Sequence, residues 1–276
     1  MRTPTLFISH GSPMLAIEKS PARDFLIEYG KTLKKPRAIV IASAHFETSR
    51  PAVVGDAKPE MIYDFGGFPD ALYQIVYPAP GDPVVATKVG GLLAEAGFAP
   101  AMMSQRGFDH GTWVPLSLLF PDADVPVVQV ALQPHLGAEH HVKLGRALTS
   151  LKDEDILVIG SGNATHNLRA FFVTRMRGED DFSTPTGATA TGDGRKVPDW
   201  VLAFDDWVRD KVQAGNVDDL TNYRARAPFA RENHPSEEHF LPLHVAVGAA
   251  GEGAKGELLH SSYANGVLSM DAYVFN

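Results

Sequence analysis

Three histidines in this sequence follow short apolar runs, directly or after a short turn. The pairs of run and histidine are Leu6–Ser9 with His10, Ile39–Ala44 with His45, and Ile156–Asn163 with His166. Imidazole is the commonest metal ligand in proteins, and because its pKa lies near neutrality it also suits proton transfer. A single histidine of this kind is more often a hydrogen-bonded structural residue. Three in equivalent positions favour one common site.

His239 is a fourth candidate, within the segment Pro235–Pro242. Ser236 has the residue type of a helix N-cap, and Glu237 and Glu238 would then occupy the first turn, where negative charge is stabilising. We therefore predict that a helix begins after Ser236 and that His239, at its start, reaches the edge of a sheet.

His110 is a fifth candidate, in a turn over Phe108–Trp113 that precedes an apolar segment. The alternative for this residue is a plain helix-entry turn. The other histidines have no comparable setting, and we expect surface or packing roles for them: His135, His140, His141, His234, His244 and His260.

The elements that must position these histidines alternate between strands and helices. Apolar runs rich in Ile and Val predict strands buried on both faces, at Leu6–Ser9, Ala38–Ala44, Val125–Leu132 and Ile156–Gly160. Helical patterns occur at Asp24–Leu33, Pro83–Ala96, Gly137–Leu151, Trp200–Val212 and Leu241–Ala250. Late, antiparallel strands are predicted at Glu257–Tyr263 and Leu268–Phe275.

This order of elements predicts an α/β fold: a single domain over residues 1–276, with a mostly parallel central sheet flanked by helices. Open α/β sheets bind ligands at the carboxyl ends of their strands, which is where the histidines fall. A loop-like stretch within 172–197 predicts a flap or a surface insertion.

Composition excludes several classes of function. The 276 residues are 44% hydrophobic and 21% charged, as in an ordinary globular protein. A formal net charge of −8 without a basic run argues against nucleic acid or an anionic membrane as partner. There is no cysteine, so thiolate nucleophiles, iron–sulfur clusters and cysteine-type zinc sites are excluded. Any metal must be held by His, Asp, Glu or backbone oxygen.

Targeting signals and familiar catalytic motifs give no positive indication. The N-terminal apolar run is too short for a signal peptide, and no stretch approaches the ~20 apolar residues of a membrane helix, so we expect a cytoplasmic location. The sequence contains no Gly-x-Ser-x-Gly, His-Glu-x-x-His or P-loop motif.

The candidate histidines stand in motifs that, in this order, resemble those of the class III (LigB-type) extradiol ring-cleavage dioxygenases, most closely the DOPA extradiol dioxygenase-like branch. The matching segments are Phe7–Met14, Ala42–His45, Asp64–Pro69, Tyr77–Gly81, Gly107–Trp113, Ser161–Asn163, His166–Arg169 and Glu238–Leu243. They span most of the chain.

The resemblance implies a non-haem metal site with His10, His45 and His239 as ligands. His166 would act as acid/base, or as a fourth ligand when zinc is bound, and His110 would line the substrate pocket. Other LigB-type branches use a glutamate as third ligand, so Glu238 is the alternative to His239. The metal would be one divalent ion, Fe(II) for activity or Zn(II) as found bound.

A substrate pocket is predicted at Phe65, Gly66, Gly67, Phe68 and Trp113, since aromatic rings suit an aromatic ligand and glycines allow close backbone approach. A core-packing turn is the alternative. The predicted activity is cleavage of a catechol-type ring with O₂. A zinc-dependent hydrolase on the same scaffold and a non-catalytic binding protein remain open, and the oligomeric state is not indicated.

Overall fold

The computed structural model describes residues 2–170 and 197–276. Its strands are β1 (Thr5–Ser9), β2 (Ala38–Ser43), β3 (Ala52–Val54), β4 (Ala101–Met103), β5 (Val127–Gln129), β6 (Ile156–Gly162), β7 (Gly256–His260), β8 (Tyr263–Ala264), β9 (Leu268–Ser269) and β10 (Ala272–Phe275). Its helices include α1 (Pro21–Thr32), α2 (Asp70–Tyr73), α3 (Pro83–Glu95), α4 (His110–Leu119), α5 (Gly137–Ala147), α6 (Asp199–Ala214), α7 (Val217–Thr221), α8 (Tyr223–Arg226), α9 (Ala230–Asn233) and α10 (Leu241–Ala250). The flap predicted over 172–197 lies outside the described residues, apart from Val197.

A six-stranded sheet occupies the centre of the protein, in the order β5-β2-β6-β1-β10-β7. The first four strands of this order are mutually parallel. Strand β10 is antiparallel to both β1 and β7. The predicted α/β fold with a mostly parallel sheet, and the antiparallel closing strands, are confirmed.

The parallel strands are buried on both faces because successive side chains point into two separate cores. On β1, Phe7 belongs to the core that includes α3, α5 and α10, whereas Leu6 and Ile8 belong to the core that includes α1 and α4. On β2, Val40 and Ile41 divide in the same way. This alternation explains why the strands read as continuous apolar runs in the sequence.

Several predicted boundaries differ from the structure, and two of the differences have a clear local cause. Helix α1 begins at Pro21 rather than Asp24, because the Ser20 side chain accepts a hydrogen bond from the Arg23 amide and proline suits the first helical position. The strand predicted over Val125–Leu132 is shorter. The observed strand β5 ends at Gln129. In the rest of the predicted strand, up to Leu132, only isolated bridges form, and one of them joins Val130 to Val53 of the small β3–β4 sheet.

A buried ionic cluster ties α6 to the end of the sheet. The Arg209 guanidinium lies 2.6 Å from an Asp205 carboxylate oxygen and 2.8 Å from one of Asp271, and both aspartates are buried. The backbone carbonyl of Asp271 accepts hydrogen bonds from the amide and the hydroxyl of Ser9. The cluster therefore holds the carboxyl end of β1, directly before His10.

Among the helices of residues 2–170 and 197–276, none is both long enough and apolar enough to cross a membrane.

Candidate metal centre

Three imidazoles converge at the carboxyl edge of the sheet. His10 follows β1 and His45 follows β2, and β6 lies between these two parallel strands. The Nε2 atoms of His10 and His45 are 3.1 Å apart, and one ligand atom from each of His10, His45 and His239 lies within 4.8 Å of the others. The structure thus brings together the three histidines that the sequence analysis grouped as ligands.

His239 reaches this edge because its turn packs directly on β6. The Asn163 amide donates a 2.8 Å hydrogen bond to the His239 carbonyl, and a Cβ at Gly162 would come within 2.1 Å of the same oxygen. The helix start suggested after Ser236 is wrong, whereas the helix predicted over Leu241–Ala250 is confirmed as α10. The Ser236 hydroxyl donates to a Glu238 carboxylate oxygen at 3.0 Å instead of capping a helix.

In each of the three rings the Nδ1 atom faces a partner, and these partners are Ser161 Oγ for His10 at 3.0 Å, Asp64 Oδ2 for His45 at 3.4 Å and Glu238 Oε1 for His239 at 3.0 Å. Metal-ligating histidines commonly use one ring nitrogen for the metal and the other for such an outer partner. The arrangement leaves Nε2 for a metal. It also gives Glu238 a contact with His239 Nδ1, the contact expected of an orienting group.

Burial keeps these imidazoles neutral. Desolvation, reinforced by the neighbouring histidines, lowers the pKa of His45 to about 2 and the pKa of His10 well below its ordinary value. Burial also lowers the pKa of His239, against the opposing effect of Glu238. Neutral rings keep a nitrogen lone pair free, which is the state that a metal ligand requires. The donor set therefore fits a divalent cation with affinity for imidazole nitrogen.

His110 lies beside this centre at the start of α4. The Asp109 side chain caps the helix, and the His110 ring centroid is 3.9 Å from that of His45. Gly111 permits this close approach, because a Cβ there would lie 2.4 Å from Ser43 Oγ and 2.9 Å from His45 Cδ2. Helix α4 therefore packs directly on the histidine pair.

Asp64 joins His45 to His110, a role that the sequence analysis did not assign. One Asp64 oxygen accepts a 2.9 Å hydrogen bond from the His110 amide, and the other lies 3.0 Å from His110 Nδ1. The only available signal was the position of Asp64 in the motif Asp64–Pro69. Spacing along the sequence did not reveal that this loop folds over α4.

His166 lies against His239 and is not grouped with His10 and His45. The two rings are stacked with centroids 3.5 Å apart, and the His166 amide donates to the Asn233 carbonyl at 3.0 Å. Its potential ligand atoms group with those of Glu238 and His239. Burial, and after it the proximity of His239, lowers the pKa of His166 to about 2, so the ring is neutral.

Comparison with known proteins identifies the family to which this site belongs. The family model described as the catalytic LigB subunit of aromatic ring-opening dioxygenase matches residues 4–276. The chain belongs to the LigB family.

Curated relatives of this LigB-family chain are similar over nearly its whole length. Proteins named 4,5-DOPA dioxygenase extradiol from Beta vulgaris and Portulaca grandiflora are each 44% identical over 98% of the chain, covering 96% and 95% of their own lengths. The protein of that name from Escherichia coli K12 is 37% identical over 90% of this chain and 85% of its own. A crystal structure of an uncharacterized Escherichia coli K12 protein matches with a TM-score of 0.76, 30% identity and complete coverage of both chains.

The LigB-family chain is therefore an extradiol ring-opening dioxygenase, as predicted, which opens a catechol-type ring with O₂. Family membership supports this activity over a zinc hydrolase and over a non-catalytic binding protein. The family also implies a divalent metal, which agrees with the neutral nitrogen donors at the sheet edge.

One side of the dioxygenase site is aromatic. Phe65 is half-buried, with its ring 5.7 Å from the His110 ring in an edge-on arrangement. Gly66 and Gly67 are exposed, and a Cβ on either would meet open space. Trp113 is completely buried behind Phe65, with 6.3 Å between the two ring centroids.

The histidines for which we expected surface or packing roles take no part in the groups of three donors found among the described residues. His141, His234 and His244 are buried and bonded to backbone groups.

Proposed function

We propose that this dioxygenase holds one Fe(II) ion through the Nε2 atoms of His10, His45 and His239. Support comes from one ligand atom of each residue, all within 4.8 Å of one another, and from the outer partner of each Nδ1 atom. Zn(II) would fit the same nitrogen donors, but Fe(II) supplies the open positions and redox chemistry that a catechol and O₂ require. Three neutral ligands leave the bound cation's charge undiminished, which favours a catecholate.

We assign the proton-transfer role to His166. Its ring lies on His239, the proposed ligand, and carries a nitrogen through which it would take the catechol proton and return it during ring opening. His110, which lies against His45, is proposed to contact the substrate.

The proposed substrate is a catechol that carries an amino-acid side chain, such as DOPA. The relatives named 4,5-DOPA dioxygenase extradiol support this choice, since two of them share 44% of their residues with this chain over nearly full length. The catechol ring would lie against Phe65 and Phe68, close to the exposed glycines Gly66 and Gly67. Trp113 would support Phe65 from the protein interior.

The convergence of His10, His45 and His239 carries the proposal. The test is anaerobic reconstitution of the apoprotein with Fe(II), followed by O₂ uptake with DOPA, simple catechols and matched mono-phenols. We expect catechol-dependent uptake, a new yellow chromophore and the highest kcat/KM for DOPA. Uptake that favours catechols without the amino-acid group would contradict the substrate. Metal-dependent ester or amide cleavage without O₂ uptake would contradict the oxidative chemistry.

The control is Lys152→Met. Lys152 is buried near the amino-terminal edge of the sheet, where its amine donates to the Ala250 carbonyl at 3.0 Å. The variant should lose stability and keep the metal and the activity. His10→Ala and His45→Ala should both lose the metal.

A further inference from the structure

An arginine with a largely buried side chain contacts the backbone of His45 and makes four hydrogen bonds. The Arg106 side chain is 13% exposed, and its guanidinium packs 3.9 Å from the centre of the Phe46 ring. One terminal nitrogen donates to the carbonyl of Gly107 and to the Gln129 side chain, at 2.9 and 2.7 Å. The other donates to the His45 carbonyl and to the Asp109 carboxylate, at 3.1 and 2.8 Å.

The carboxylate of Asp109 extends this contact to two further elements. Its second oxygen accepts a 2.6 Å hydrogen bond from the Ser43 hydroxyl at the end of β2, and a 2.9 Å bond from the Thr112 amide in the first turn of α4. Asp109 is 1% exposed, and the positive charge of Arg106 offsets the cost of burying its negative charge.

These bonds hold the backbone of His45 from both sides. The His45 amide donates to Ser43 Oγ at 3.2 Å, and Ser43 donates in turn to Asp109. The His45 carbonyl is held by Arg106. Because Asp109 also caps α4, the same pair sets the start of the helix that carries His110 against the His45 ring.

Stability alone is a weak reason for such a pair. A buried ion pair loses much of its Coulomb attraction to desolvation, and apolar replacements of similar volume are often as stable or more so. The planar guanidinium of Arg106 bonds to backbone carbonyls, to the Gln129 side-chain amide and to the Asp109 carboxylate at the same time. It therefore fixes the positions of these groups relative to one another, which the single amine of lysine cannot do.

We propose that Arg106 is a positioning residue of this dioxygenase: through the carbonyl of His45 and the carboxylate of Asp109, it sets the orientation in which His45 meets the metal and His110 meets the substrate. The inference rests on the proposed role of His45 as a ligand.

The test uses Arg106→Gln, with Co(II) as the metal probe. We expect the Kd for Co(II), measured by competition with a chelator, to rise on the order of 10- to 100-fold, the usual effect of removing an outer partner of a ligand. The visible absorption bands of bound Co(II), which report ligand geometry, should change. With saturating Fe(II), kcat should fall by more than KM for the catechol rises.

Lys152→Met is the matched control, because Lys152 is likewise a cation bonded to a backbone carbonyl, but it is buried near the other end of the sheet. It should lower Tm and leave the Kd and the Co(II) spectrum unchanged. Arg106→Lys provides the test if the glutamine variant does not fold. It keeps the charge beside Asp109, and we expect a smaller rise in Kd.

Folded Arg106 variants with native Kd, spectrum and kcat would overturn the inference and leave Arg106 a structural residue. His45→Ala separates this failure from failure of the proposed function. If His45→Ala binds Co(II) as tightly as the native protein, the ligand assignment is wrong whatever the Arg106 variants do.

Discussion

The imidazole of His166 lies flat on that of His239, with ring centroids 3.5 Å apart and planes 9° apart. The possible ligand atoms of His166 group with those of Glu238 and His239, whereas His10, His45 and His239 form a separate group. His166 is therefore placed beside the centre formed by His10, His45 and His239. This relationship favours a role in proton transfer over a role as a fourth ligand.

Replacement of His166 by Gln should separate turnover from metal binding. We expect the variant to keep its metal and to lose on the order of 10²–10⁴ in kcat, the usual contribution of a positioned acid/base. Metal content by atomic absorption and steady-state O₂ uptake are the two measurements. His135→Gln, at an exposed histidine, is the control and should keep both. If His166→Gln loses metal as completely as His10→Ala, His166 is a ligand.

Replacement of Glu238 by Gln tests which residue is the third ligand. Glu238 Oε1 lies 3.0 Å from His239 Nδ1, so we expect Glu238 to orient His239. Glu238→Gln should then bind metal with a Kd raised about 10- to 100-fold, and His239→Ala should bind none measurably. Isothermal titration of the apoproteins provides the comparison. Full occupancy in His239→Ala, with none in Glu238→Gln, would make Glu238 the ligand.

The histidines at the ends of β1 and β2 were predictable because a buried parallel strand has a strong sequence pattern. Continuous apolar runs locate β1, β2 and β6, and parallel strands of one sheet end at the same edge. His10 and His45 thus fall together without knowledge of any loop. The sheet order was not available from the pattern, since it depends on how the crossover helices pack.

The side chains that contact the proposed ligands were not predictable in this way. Asp64 reaches His45 only because its loop folds over α4, and Arg106 does so only because its side chain passes beneath the turn after β2. Neither residue has a periodic or spaced signature. The Ser236 cap failed for a related reason, since the carboxylate of Glu238 competes for the hydroxyl.

Phe65 and Trp113 should respond differently to replacement by Leu. Phe65 lies between the His110 ring and Trp113, so Phe65→Leu should raise KM for the catechol with little change in the free energy of unfolding. Trp113 is completely buried, so Trp113→Leu should lower that free energy by about 2–4 kcal/mol, with a smaller effect on KM. Phe98→Leu, at a half-buried ring next to His140, is the control for Phe65. A larger KM effect from Trp113→Leu than from Phe65→Leu would place the indole against the substrate.

Acid sensitivity of the fold should come in part from His141, which is buried on α5. Its Nδ1 donates to the Gly137 carbonyl at 2.7 Å, and its Nε2 accepts from the Gln133 amide at 3.0 Å, so the bonded ring is neutral. Burial lowers its pKa to about 3, against the opposing effect of the Gly137 bond. Between this value and the unfolded pKa near 6.5, the unfolded chain binds the extra proton. The contribution of His141 is therefore complete above about pH 6.5 and is lost as pH falls toward 3.

His141→Gln tests this dependence in the apoprotein with a chelator present, which removes metal binding as a variable. At pH 8 the variant should be less stable by about 1–3 kcal/mol, because a buried hydrogen bond is lost. The difference in stability should narrow as pH falls to 4, because only the protein with His141 must keep an uncharged imidazole at this position when folded. Urea unfolding at pH 8, 6, 5 and 4 measures the gap, and comparison at each pH cancels the titration of the other buried histidines. His135→Gln should follow the native profile throughout. A constant difference in the free energy of unfolding from pH 8 to pH 4 would contradict this prediction. It would show that the stability of the fold depends on pH in the same way with glutamine as with histidine at position 141.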